Sequence, residues 1–206
     1  FTEYFTNKTV NKITKQYGKV DVVTAFNVFA HSDGLRDILE NVKKLLKEDG
    51  EFIFEIQYFL RTIKDLTFDN IYHEHVNYWC LLSILNFFKD SDMKVYKVEE
   101  VNTHGGSLRV YATMNKNKRA HKSLREYIEI EKKNKLDKIE TYYKFASDVE
   151  KIKLTSLKKI EGIISNNEKI IGYGAPAKAT TVLNYFGINN LHFDYTIDDN
   201  HLKQNK

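Results

Sequence analysis

Residues 71–79, Ile-Tyr-His-Glu-His-Val-Asn-Tyr-Trp, place two imidazoles, a carboxylate and two phenols within nine positions. An imidazole titrates near pH 6.5, and an adjacent carboxylate or phenol can orient and tune it, so the stretch is equipped for proton transfer. Two other readings compete. His73 and His75 stand two apart, which on a strand puts both on one face, but a zinc helix needs H-E-x-x-H spacing and no third ligand is evident; no metal is therefore expected here. The third reading is an aromatic-rich entry to a helix.

Three further clusters could bind or react. Asn27-Val28-Phe29-Ala30-His31 follows a strand-like run, and Glu55-Ile56-Gln57-Tyr58 ends the next one. In open parallel sheets ligands bind at the carboxyl ends of strands, although Asn27 and His31 could equally cap the following helix. Gly172-Tyr173-Gly174-Ala175-Pro176-Ala177 fits G-x-G-x-x-A, with Asp194 and Asp198 roughly 20 residues on and Lys178 beside it; it reads as a phosphate-binding turn or as a plain tight turn. Thr103 to Arg109, Thr-His-Gly-Gly-Ser-Leu-Arg, could cradle an anion through backbone N–H groups and a guanidinium, or be a glycine-rich turn without a ligand.

The elements that must position these residues follow from hydrophobic pattern. Asp21–Phe29 reads as a buried parallel strand, Ser32 and Asp33 as N-caps of a helix carrying Leu35, Leu39, Val42 and Leu46, Gly50 as its stop, and Glu51–Phe59 as a second strand. Strand, helix and strand in so few residues make a βαβ unit with parallel strands. Leu81–Lys89 is helical in pattern. Lys94–Val101 and Leu108–Thr113 are expected as antiparallel strands at the far edge of the sheet. From Arg119 to about Ile164 apolar residues are spaced for helices, with solvated charged faces between them. Lys169–Tyr173, Pro176–Phe186 and Leu191–Ile197 then begin a second strand-helix-strand unit.

Composition narrows the classes. The chain has 206 residues, 42% of them hydrophobic, and a net charge of +4 from interspersed Lys, Arg, Asp and Glu, too mild to imply nucleic acid. Cys80 alone can form no internal disulfide, as expected of a cytoplasmic protein. No apolar run approaches the roughly 18 residues that span a bilayer, so no membrane partner is expected. A start at Phe1 without Met reads as an internal piece of a longer protein.

Taken in order, NVFAH, LLKEDGEFIFEIQY, FDNIYHEHVNYW, THGGSLRVYA, GYGAPAKATTVLNYFGI and DYTIDDNHLKQ resemble the S-adenosylmethionine-dependent C-methyltransferases of nucleotide-linked keto-deoxysugars. The likeness runs from about Asp21 to Gln204. It implies an α/β chain of three parts: the C-terminal part of a Rossmann-like methyltransferase domain (1–115), a helical connector (116–168) and the truncated start of a second Rossmann-like unit that holds the nucleotide sugar (169–206). Zinc would belong only to an N-terminal domain lacking here, as is the cofactor's glycine loop, so this stretch alone is expected to bind S-adenosylmethionine poorly. The family reaction removes a proton beside a 4-keto group, commonly at C3, and methylates the enolate carbon. The resemblance makes His75 the base, Glu74 its partner or a sugar ligand, and Tyr72 a donor near the keto oxygen. It puts Asn27, Val28 and His31 beside the cofactor and Glu55 and Tyr58 in the sugar pocket. His104, Gly105, Gly106, Ser107, Arg109, Gly172, Gly174 and Lys178 become nucleotide or diphosphate contacts. The alternatives are a nicotinamide-dependent oxidoreductase or epimerase using Gly172 to Ala177, and a non-catalytic nucleotide-sugar-binding module.

Overall fold

The computed structural model describes residues 1–103 and 105–204, in two compact units: Phe1–Arg61 with Glu74–Ile139, and Thr62–His73 with Glu140–Lys206. The expected contact at His104 lies outside the described residues.

The first unit is an α/β layer. Helix α1 (Asn7–Tyr17) precedes strand β1 (Val20–Phe26), a short 3-10 turn (Phe29–His31), helix α2 (Leu35–Leu45) and strand β2 (Leu46–Gln57). β1 and β2 pair in parallel, as a βαβ crossover requires. Strands β3 (Lys94–Val101) and β4 (Ser107–Thr113) add antiparallel, giving the order β1-β2-β4-β3. The expected sheet and its antiparallel edge are both present.

Alternation along β2 sends Phe52, Phe54 and Ile56 into the core, where Phe29 stacks on Phe54 at 4.8 Å and Phe88 lies parallel to Phe54 at 5.9 Å. α2 buries Leu35, Leu39, Val42 and Leu45 on one stripe. Each such side chain contributes about 1.5–3 kcal/mol by leaving water. The chain then enters helix α3 (Phe59–Asp65), a 3-10 turn (Phe68–Asn70) and helix α4 (Leu81–Phe88), while helix α5 (Lys122–Lys133) follows β4.

Three boundary residues differ from expectation. Ser32 and Asp33 do not cap α2; its N-cap is Gly34, without a side-chain hydrogen bond, because the 3-10 turn takes up residues 29–31 and leaves Ser32 extended. Gly50 does not end α2, which stops where Leu46 turns extended. Gly50 instead sits buried inside β2 at an irregularity that shifts the β1 register between Val20 and Val22. A Cβ there would meet Leu46 Cδ2 at 2.9 Å and the Asp21 carbonyl at 3.1 Å, so only glycine fits the bulge.

The second unit contains helix α6 (Ile139–Ser165), the two-residue strands β5 (Gly172–Tyr173) and β6 (Thr196–Ile197), paired in parallel, and helix α7 (Ala177–Phe186) between them. Both strands are shorter than their apolar runs suggested, since a turn at Asn189–His192 occupies the start of the second. α7 packs Phe186 against Phe68 at 5.5 Å.

Candidate functional site

The carboxyl edge of β1 is built as a corner. Asn27 adopts a left-handed backbone (φ 53), which Asn tolerates better than most side chains, and its N–H donates to the Glu55 carbonyl at 3.1 Å. Two strand ends are thereby tied side by side. Val28 then stands exposed, and Phe29 and Ala30 turn into the core.

Residues 74–79 lie across this corner as a strap. The Ala30 carbonyl accepts from the N–H groups of Val76 (2.8 Å) and Asn77 (3.3 Å), the Ser32 carbonyl from Asn77 Nδ2 (2.8 Å), and the Glu74 carbonyl is 2.9 Å from His31 Nδ1. The far end is fastened too: Trp79 bridges Tyr58, and its carbonyl accepts from the Phe59 N–H at 3.0 Å. His75 is thereby placed between two rings, 4.8 Å from His31 and 6.2 Å from Tyr78. Beside the corner is a cleft of 810 Å³ whose walls include Tyr4, Phe5, Val28, His31, Asp37 and Glu40.

Tyr72 and His73 belong to the second unit, their rings edge to face at 5.9 Å, so the histidine stretch crosses a unit boundary. Among the described residues, no group of three or more His, Cys, Asp and Glu side chains could hold a metal ion.

Glu55, 5% exposed, pairs with Arg109 across the β2–β4 ladder: Nη2 lies 2.6 Å and Nε 3.0 Å from Glu55 Oε1, with Thr103 Oγ1 at 3.4 Å from the other oxygen. Arg109 Nη1 also reaches Glu99 at 3.1 Å, and the Glu55 carboxylate, ahead of Glu99, pushes the guanidinium pKa up. The Tyr111 hydroxyl holds the Glu99 carboxyl below its ordinary value. The glycine-rich turn closes on itself: the Gly106 N–H and Ser107 Oγ both donate to the Thr103 carbonyl. Gly106 (φ 112) packs so closely on Arg61 that a Cβ would lie 2.8 Å from Arg61 Cγ, whereas Gly105 faces open space. Thr103 and Arg109 of this turn thus meet at Glu55.

Tyr58 is 0% exposed, its ring 6.2 Å from Tyr127, and burial, with the Glu131 carboxylate second, raises its phenol pKa. Glu131, also 0% exposed, is the main residue sequence reasoning missed. From α5 it accepts the N–H groups of Leu81 (2.5 Å) and Leu82 (2.8 Å), capping α4 from 50 positions away. Only the odd acid among the apolar positions of α5 could have signalled it.

In the second unit, Gly174 is left-handed (φ 83) and the loop it begins is closed by Asp198, which accepts from the Ala175 N–H at 2.7 Å and the Asn200 N–H at 2.8 Å. Those backbone donors, with Lys203 adding to them, keep the Asp198 carboxyl below its ordinary value. Gly172 leaves no room for a side chain, since a Cβ would lie 2.6 Å from Thr196 Oγ1. Lys178 bonds the buried Asn70 side chain.

Residues 3–98 match a methyltransferase-domain family model, and residues 102–206 match the model of the C-methyltransferase C-terminal domain. The C-methyltransferase NovU of Streptomyces niveus is 28% identical over 203 residues, covering 98% of this chain and 48% of that protein. The chain thus spans about half the length of that relative. Among solved structures, a SAM-dependent methyltransferase from Anabaena variabilis ATCC 29413 is 9% identical, with TM-score 0.40 over 54% of this chain and 56% of that one. The magnesium protoporphyrin IX methyltransferase of Synechocystis PCC 6803, solved with bound SAH, is 14% identical, with TM-score 0.35 over 46% and 44%. At TM-scores below 0.5 neither likeness bears on the fold.

Proposed function

Because the chain belongs to the C-methyltransferase family, with its C-terminal domain in residues 102–206, we propose that it is part of an S-adenosylmethionine-dependent C-methyltransferase acting on a nucleotide-linked keto-deoxysugar. The observation that carries this reading is the strap: four hydrogen bonds fasten residues 74–77 to the carboxyl edge of β1 and set His75 beside that edge. Ligands of parallel sheets bind there.

The residues present fit one wall of a methyl-donor site. Asn27 and Val28 stand at the strand end, Tyr4 and Phe5 offer flat apolar surface for a purine, and Asp37 and Glu40 offer carboxylates to hydroxyl or cationic groups. S-adenosylmethionine, when bound, supplies an electrophilic methyl group. His75, as base, would take the proton from the carbon beside the 4-keto group, the C–H electron pair becoming the enolate that is the nucleophile. Tyr72 is assigned to the enolate oxygen and Glu74 to the sugar or to His75 through the family resemblance. Glu55, held by Arg109, is assigned to the sugar pocket through the family resemblance. Gly172, Gly174 and Lys178 are assigned to the nucleotide through the family resemblance alone.

The Asp198 carboxylate already occupies the Ala175 N–H, an argument against the oxidoreductase alternative, in which that loop receives a dinucleotide phosphate. In the full-length protein, His75→Ala is expected to leave nucleotide-sugar binding largely intact and to cut turnover at least about a hundredfold. Unchanged turnover would remove His75 from the role of base.

A further inference from the structure

His31 is the corner residue whose side chain reaches the strap. Three of the bonds that hold residues 74–77 accept on the carbonyls of Ala30 and Ser32, and another uses the imidazole of His31. Its acceptor is the Glu74 carbonyl, the group that forms the peptide to His75. A carbonyl can only accept, so His31 Nδ1 must carry the proton, which fixes the ring's orientation. The same ring then meets the His75 ring at 4.8 Å and 66°, an edge-to-face contact.

We propose that His31 is a positioning residue: through its Nδ1–H bond to the Glu74 carbonyl and its ring contact it sets the Glu74–His75 peptide and the plane of the His75 imidazole. This assigns the corner histidine a task different from a contact with the methyl donor, and it rests on the reading of His75 as the base. The physical reason is distance tolerance. A base must meet a C–H bond in line, and a displacement of about 1 Å can cost about a hundredfold in rate. The other three strap bonds hold positions 76 and 77, beyond His75; the bond from His31 holds the position before it. The base is thus bracketed, and on the side preceding it the hold comes from a side chain of the corner.

The test uses the full-length protein with S-adenosylmethionine and a nucleotide-linked 4-keto-deoxysugar. His31→Phe keeps a ring but loses the donor; His31→Asn puts an amide N–H close to the Nδ1 position. The Phe variant is expected to lower kcat at least about tenfold while KM for each substrate stays within about twofold, and the Asn variant to recover kcat to within about threefold of the parent. Thermal unfolding should change little, as His31 is exposed. If the Phe variant does not fold, His31→Ala takes its place with the same expectations. Equal kcat in the Phe and Asn variants, or a loss confined to KM for S-adenosylmethionine, would overturn the proposal. His75→Ala measured alongside separates the two readings. If it is inactive while His31→Phe turns over normally, only the positioning role fails; if His75→Ala turns over normally, the base assignment fails and the positioning role with it.

Discussion

Arg109 shows how a side chain that reads as a ligand contact can be engaged within the protein. Flanking a Gly-Gly turn it suggested an anion site, yet in the fold it lies between Glu55 and Glu99 and beside the Phe26 ring. Removing it leaves the Glu55 carboxylate nearly buried with Thr103 as its remaining side-chain donor among the described residues. Arg109→Met is therefore expected to lower stability by about 2–3 kcal/mol in chemical denaturation, less than for a wholly buried pair because Arg109 is 32% exposed. Adding Glu55→Gln should restore part of that loss, since it removes the orphaned charge; a double variant as unstable as the sum of the singles would show that the pair does not couple. The residue types at these positions were legible in sequence, but their pairing was not, because it depends on the antiparallel register of β2 and β4.

At the scale of elements, helix α4 depends on a carboxyl group from α5. Glu131→Ala would leave the first two amides of α4 buried and unmet, at a cost of about 2–4 kcal/mol, whereas Glu131→Gln retains one acceptor and should cost less. Burial pushes the Glu131 carboxyl above its ordinary value of 4.5, against the pull of the two amide donors. A raised folded value means that its contribution to stability is fully present below about pH 4.5 and is lost as pH rises through the raised value. Comparing denaturation midpoints of the parent and Glu131→Gln from pH 4 upward should therefore show the parent losing ground to the variant, and parallel curves would contradict the assignment. Strands and helices themselves were readable because their periods are local: β2 alternates from Gly50 to Phe54, and α2 carries one apolar stripe. Helix α1 went unrecognised because its pattern is weak. Only the side-chain cap of Thr6 on the Thr9 N–H marks its start, and Thr9 and Val10 alone are buried along it. Gly50 misled because a glycine after an apolar stripe signals a helix end equally well as a bulge inside the next strand.

Over the whole molecule, two units carry different parts of the proposed task. No helix among the described residues is long and apolar enough to cross a membrane. In the second unit the β5–α7 loop is closed by Asp198, whose lowered value makes its stabilisation present above the ordinary aspartate value of 3.8 and lost as pH falls through the folded one. Amide exchange at Ala175 and Asn200 should thus lose protection relative to the rest of the unit on acidification below about pH 4, and Asp198→Asn should lack that transition. The motif G-x-G-x-x-A was plain in sequence, whereas its closure by an acid of the same chain, 23 positions on, required the β5–β6 pairing. In the proposed reading His75, in the first unit, removes the proton. The most direct measurement of that step is NMR exchange of the proton beside the 4-keto group of a nucleotide-linked sugar in deuterated water, with full-length parent and His75→Ala protein, each at saturating sugar and without S-adenosylmethionine. If His75 is the base, the parent exchanges that proton and the variant, still binding the sugar, exchanges it at least about a hundredfold more slowly; equal exchange rates in the two proteins would contradict the assignment.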